Sequence, residues 1–162
     1  MTAILKRTPI IWALFVAQLL TGFGFGIFNG AVGGTYLDMI TQGEHARSLV
    51  ASLSDAQRCA HFWVTVLLDT AYPLAYGGFF AAMALRFWGR FGRLAALPAI
   101  ATIIVDLTEN TVQALALSGA ADVLDAKDWL TPLKFGLFCL AAAIALIALV
   151  IAVVNIFRKR QA

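Results

Sequence analysis

The stretch from Leu94 to Leu117, LAALPAIATIIVDLTENTVQALAL, decides the fold class. It has the ~20-residue apolar length that a helix needs to cross a ~30 Å hydrocarbon layer, yet it carries Asp106 and Glu109. Thr102, Asp106, Glu109, Asn110 and Gln113 recur at intervals of four, three, one and three. A helix gathers them on one face and leaves the opposite one to Ile, Val, Leu and Ala. A charge at mid-membrane costs about 2.5–3.5 kcal/mol on insertion scales, so this face has to meet protein or water, never lipid. The stretch predicts a membrane helix that needs neighbours.

Composition supplies those neighbours. Of 162 residues 61% are hydrophobic and 13% charged, with a mean hydropathy of +0.84. Soluble domains are about half apolar and about a quarter charged, so the missing water-facing surface has to face lipid. The same figures exclude a disordered chain, a disulfide scaffold and a multi-domain enzyme. An all-α, polytopic membrane protein is expected, a single domain over 1–162 with four spans at roughly 9–34, 62–85, 94–117 and 130–156. Lys6 and Arg7 before an apolar run resemble a secretory signal, but the run continues to Gly34 without a cleavage site and reads as a helix.

Basic residues orient the spans. Lys6, Arg7, Arg86, Arg90, Arg93, Arg158, Lys159 and Arg160 fall on one side; Arg47, Arg58, Lys127 and Lys134 fall on the other with Asp38, Glu44, Asp55, Asp122, Asp125 and Asp128. Cytoplasmic loops retain Lys and Arg, so both termini are expected in the cytoplasm. The basic pI of about 9.1 is then a topology signal and implies no nucleic-acid partner. The Arg86–Arg93 turn, flanked by Phe87, Trp88 and Phe91, suits an interface anchor. Between the first two spans, Ala46, Leu49, Val50, Leu53, Ala56 and Ala60 recur at helical spacing, which predicts an external amphipathic helix, either a connector or a lid. Ser54-Asp55-Ala56-Gln57 matches a capping box that starts a fresh helix into span two.

The remaining spans carry their own polar residues. His61, Thr65, Asp69, Tyr72 and Tyr76 form one stripe on span two, and Pro73 removes a backbone donor that would otherwise engage the Asp69 carbonyl. Asp69 and Glu109 lie ~11 Å and ~12 Å from the outer edge on adjacent antiparallel helices. Lys134 on span four is the expected counter-ion for either, unless it snorkels to the headgroups. Three acids against one lysine leave an excess of two negative charges. Asp69, Glu109, Asp106 and Lys134 are the candidate reacting groups; Tyr72, Tyr76, Asn110, Gln113, Thr65 and His61 are candidate ligand contacts. Span one is glycine-rich, and Gly22, Gly26 and Gly30 line a face for close packing or a homo-oligomer. Gln18 and Asn29 are its only amides. Cys59 and Cys139 are too far apart to bridge, and no metal or cofactor motif is present.

The runs Asp69-Thr-Ala-Tyr72-Pro73-Leu-Ala-Tyr76 and Asp106-Leu-Thr-Glu109-Asn110, with Lys134, resemble an uncharacterised family of small four-helix bacterial integral membrane proteins. The likeness runs from about Tyr36 into the fourth span. It implies a four-helix layout, the bacterial cytoplasmic membrane and the same polar residues, and supplies no reaction. A looser likeness to the sterol-isomerase type of membrane enzyme rests on buried acids and aromatics, without that group's intramembrane histidine.

Three classes of function fit. The carboxylates act as acid and base on a lipid-like or isoprenoid substrate; they form the proton or cation site of a small transporter; or they fix helix register in an assembly subunit. If the cluster is functional rather than only structural, amides at Asp69 or Glu109 are expected to preserve the fold and abolish activity or ligand binding.

Overall fold

The computed structural model describes residues 2–161, the side chains of Thr2, Ile156, Lys159, Arg160 and Gln161 excepted. Lys159 and Arg160, counted above with the basic side, therefore lie outside the described side chains. The fold is helical, with no strand among the described residues. Its main helices are α1 (Thr8–Phe28), α2 (Gly43–Ser52), α3 (Asp55–Trp63), α4 (Asp69–Phe87), α5 (Leu97–Ser118) and α6 (Lys127–Gln161).

Three helical runs are long and apolar enough to cross a membrane: Thr8–Phe28, Gly89–Ser118 and Leu124–Asn155. The segment expected as span 62–85 is helical but is not among them. It comprises the last two residues of α3, a π-turn over Val64–Leu68, and most of α4, and it runs through the middle of the bundle against α1, α5 and α6. Neighbouring helices shield its polar stripe, so it need not be apolar all round. Gly77 permits the tightest crossing, because a Cβ there would come within 2.4 Å of Ile103 on α5.

The first helix ends earlier than expected, at Phe28 rather than Gly34. Gly33 and Gly34 take φ of 93° and 84°, which breaks the α-helical geometry and turns the chain toward Tyr36. None of its residues is buried. The anticipated packing face is open: a Cβ at Gly26 or Gly30 would meet nothing within 4 Å, and Gly22 faces only the Tyr72 ring. Among the described residues neither Gln18 nor Asn29 bonds across to another helix through its side chain.

The segment between the first two expected spans is divided into two helices, α2 and α3, the second starting where the capping box put a fresh one. Leu53 is extended, and Ser54 caps α3 with the expected box: its hydroxyl accepts from the Gln57 N–H while Gln57 answers to the Ser54 N–H. Ala46 is buried and Leu49, Val50 and Leu53 are half-buried, while Ser48 is exposed. That stripe joins Leu37, Val112, Ala116, Leu117 and Leu124 in an apolar roof over the acidic end of the bundle. Arg58 ties the roof down by donating to two carbonyls at the C-terminus of α5, Leu117 (2.6 Å) and Ala116 (2.9 Å), the second of which also accepts from the Gly119 N–H. Arg47 bridges to Asp122 (2.5 Å) and Asp125 (3.1 Å); its guanidinium holds the Asp122 carboxyl below the usual range. At the basic end Ala81, Ala84, Leu85, Ala96, Ala99 and Ala141 form an apolar floor of small residues. Between roof and floor lies the polar layer.

Candidate functional site

Helix periodicity alone brings the α5 residues together. Thr102, Asp106, Glu109, Asn110 and Gln113 are all buried, as are His61, Thr65, Asp69 and Tyr76 across from them on the α3–α4 run. Lys134 faces the same layer from α6 and is also buried. Four acids and two lysines share this layer, more unevenly than depth alone suggested.

Glu109 is the hub of the first half. Its Oε1 accepts from Lys127 Nζ and from the Thr131 hydroxyl (2.6 Å), and its Oε2 faces Lys134 Nζ at 2.8 Å. Lys134 also donates to Asp38. Lys127 is fully buried, which only a paired ammonium tolerates. The sequence had placed Asp38 and Lys127 outside the site with the loop charges, and the structure corrects both. Lys127 begins α6 and turns inward. Asp38 reaches in because the Leu37–Met39 turn folds under the roof, where the Leu37 N–H donates to His61 Nε2 at 3.2 Å. His61 thus positions the turn through its neutral imidazole; burial pushes it down to about 4.

Asp69 and Asp106 form the second half. Tyr76 donates to Asp106 Oδ2 at 2.6 Å, while the buried Asp106 Oδ1 has no partner. No described residue donates a hydrogen bond to the Asp69 carboxyl. Its backbone carbonyl, released by Pro73, instead accepts from Asn110 Nδ2 at 2.7 Å. Asn110 Oδ1 and both amide atoms of the fully buried Gln113 are unpartnered within the protein. One carboxylate oxygen from each of Asp38, Asp69 and Asp106 lies within 4.8 Å of the others. Lys127 and Lys134 pair with Glu109 and Asp38, which leaves the Asp69 and Asp106 carboxyls without an ion-pair partner among the described residues.

A groove lies beside the unsatisfied half, separated from Asp106 by Tyr76. Its volume is about 520 Å³, and it is lined by Gln18, Leu19, Gly22 and Phe23 of α1, Tyr72, Tyr76 and Phe80 of α4, and Phe138 of α6. Its wall is an aromatic chain, with ring centroids 5.1 Å apart for Tyr72–Tyr76 and again for Tyr76–Phe138. Tyr76 therefore presents its ring to the groove and its hydroxyl to Asp106. His61, Thr65 and Gln113 do not line this groove.

Sequence reasoning missed Asp38, Lys127 and Thr131. For two of them a signal existed: Lys127, Thr131 and Lys134 are spaced by four and three, the same face-forming interval used on the other helices. Beginning the fourth span at Leu130 cut Lys127 off that stripe, and Thr131, inside the span, was passed over. Asp38 had no periodic signal.

Compared with protein-family models, curated proteins and solved structures, the chain gives no match.

Proposed function

We propose that this chain is a four-span protein of the bacterial cytoplasmic membrane, a member of the small four-helix family it resembles, that admits a lipid-like or isoprenoid molecule sideways between α1 and α6 to a buried carboxylate pair. The observation that carries this reading is the groove whose inner wall, Tyr76, is hydrogen-bonded to Asp106. Apolar walls with one convergent polar point are what an amphiphile requires. Asp106 and Asp69 then serve as acid and base, relayed or oriented by Tyr76, Tyr72 and Asn110. Glu109, Lys134, Lys127 and Thr131 hold the frame. In this reading residues 62–85, mainly α4, form the fourth span, both termini are cytoplasmic, and the open glycine face of α1 meets lipid or a second copy.

The groove is tested with a photoactivatable long-chain alcohol in vesicles containing the full chain. Adducts should concentrate on the peptides holding Tyr72, Tyr76 and Phe138, and Gly22→Phe, which fills the groove, should remove them. Even labelling of all lipid-facing residues, unchanged by Gly22→Phe, would sink the reading. Orientation is tested separately: an impermeant thiol reagent on spheroplasts should label Cys59, exposed in α3, and spare Cys139.

A second reading, a proton- or cation-coupled transporter, is favoured by the three carboxylate oxygens within 4.8 Å of one another. Proton or sodium uptake into vesicles that is lost in Asp69→Asn, with no labelling of the groove, would select it.

A further inference from the structure

At the opposite end of the bundle from the carboxylates, a cavity of about 290 Å³ is lined by Lys6, Leu85, Gly89, Arg90, Gly92 and Arg93. Three of its six lining residues are cations, contributed by two separate segments of the chain. All nine acids lie elsewhere: three in the polar layer on α4 and α5, and the other six in the loops and helix starts at the acidic end. Among the described residues, Lys6, Arg90 and Arg93 accordingly have no carboxylate partner.

The fold holds the two segments together. Arg86 donates to the Lys6 carbonyl (3.1 Å) and to the Thr8 hydroxyl (2.8 Å), which fastens the start of the chain beside the turn after α4. That turn passes through Gly89 at φ 53° and brings Gly92 against the backbone of Ala84 and Leu85, where a Cβ would lie 3.0 Å from either carbonyl. A side chain at Gly92 would push the arginines off the helix end. Around the cavity Phe91, Leu94 and Leu97 are exposed, an apolar rim suited to acyl chains.

We propose that this cavity binds the phosphate headgroup of an anionic phospholipid. The cavity is about ten times the volume one water occupies in the liquid, its cations lack counter-charges, and its rim is apolar, so a phosphate carrying acyl chains satisfies all three features where a soluble phosphate satisfies two. The proposal rests on the membrane reading and is independent of the carboxylate site.

Native mass spectrometry of the full chain in detergent, titrated with dioleoyl phosphatidylglycerol or dioleoyl phosphatidylcholine, tests it. The anionic lipid should bind at least about tenfold more tightly, and Arg90→Gln with Arg93→Gln should weaken it about thirtyfold, two charges at the membrane-surface increment each. Arg90→Lys with Arg93→Lys should restore most of the affinity, since the charge is kept. Arg158→Gln is the control, because Trp88 bonds to the Ile144 carbonyl and Arg158 lies ~21 Å of helix beyond that point; it should leave binding unchanged. Equal binding of the two lipids, or retained preference in the glutamine pair, would overturn the proposal. Competition by inorganic phosphate as effective as that by the lipid would overturn it in favour of a soluble anion. A chain that stays soluble without detergent would overturn the membrane reading itself.

Discussion

Glu109 and Asp106 sit three residues apart on one helix face, both buried, and their surroundings differ in kind. Glu109 accepts two hydrogen bonds at Oε1, and its Oε2, which accepts none, lies 2.8 Å from the Lys134 ammonium, so that two cations stand against it. Asp106 has one tyrosine and an orphan oxygen, and its neighbour Asp69 faces two further carboxylates. Buried charges that are fully paired hold a structure together, and breaking one is costly; buried polar groups left unpaired mark a place where something else binds or a proton moves. Equal burial on one face therefore says little about role, and partner count separates frame from site.

The largest expected effect tests the frame. Glu109→Gln leaves the fully buried Lys127 without a counter-charge and should destabilise the chain by about 3–5 kcal/mol, read as a fall in Tm in detergent. The sequence alone led to the expectation that this amide would be tolerated, and a wild-type Tm would restore that view and break the contrast. Asp69→Asn and Asp106→Asn should go the other way, folding with wild-type or higher Tm because they remove excess negative charge. Both should abolish whatever reaction or coupled uptake the site performs, while photolabelling of the groove persists. A large loss of Tm in either would move that residue into the frame.

Asn110→Ala is expected to have an intermediate effect, about 1–3 kcal/mol, because it leaves the Asp69 carbonyl that Pro73 released without a donor. Asn110→Ala combined with Pro73→Ala should recover part of the loss, since the helix can then supply its own N–H. The smallest effect concerns the turn that delivers Asp38. His61 has its folded pKa depressed to about 4, against an ordinary value of about 6.5. Protonation is then favoured in the unfolded chain, so stability is full above about pH 6.5 and falls as the pH drops toward 4. Unfolding followed between pH 7.5 and 4.5 should show this slope, and His61→Gln should flatten it; an identical slope in the variant would assign the acid sensitivity to other groups.

Much of this was legible beforehand because helical periodicity is local. The α5 stripe, the α3 capping box and the carbonyl freed by Pro73 follow from spacing within one turn or two, and all three appear in the structure. Lys127 and Thr131 were legible in the same way; Lys127 was lost to a boundary drawn where the apolar run begins, and Thr131, just inside it, was passed over. Helix ends were harder, since α1 stops at Phe28, five residues before the positive-φ Gly33 and six before the end of the expected run.

By itself, the sequence determined an all-helical chain too apolar to be covered by water, with its polar residues confined to single helix faces, because composition and the 3.6-residue repeat need no knowledge of partners. Tertiary structure alone decided how the charges pair. Asp38 is 96 residues from Lys134 in sequence, and it enters the polar layer because a backbone N–H at Leu37 finds His61. The open groove between α1 and α6 is likewise set by where α1 leans on α4. Pairing and access depend on distances between helices, and those are fixed by packing across the whole bundle rather than by any stretch of chain.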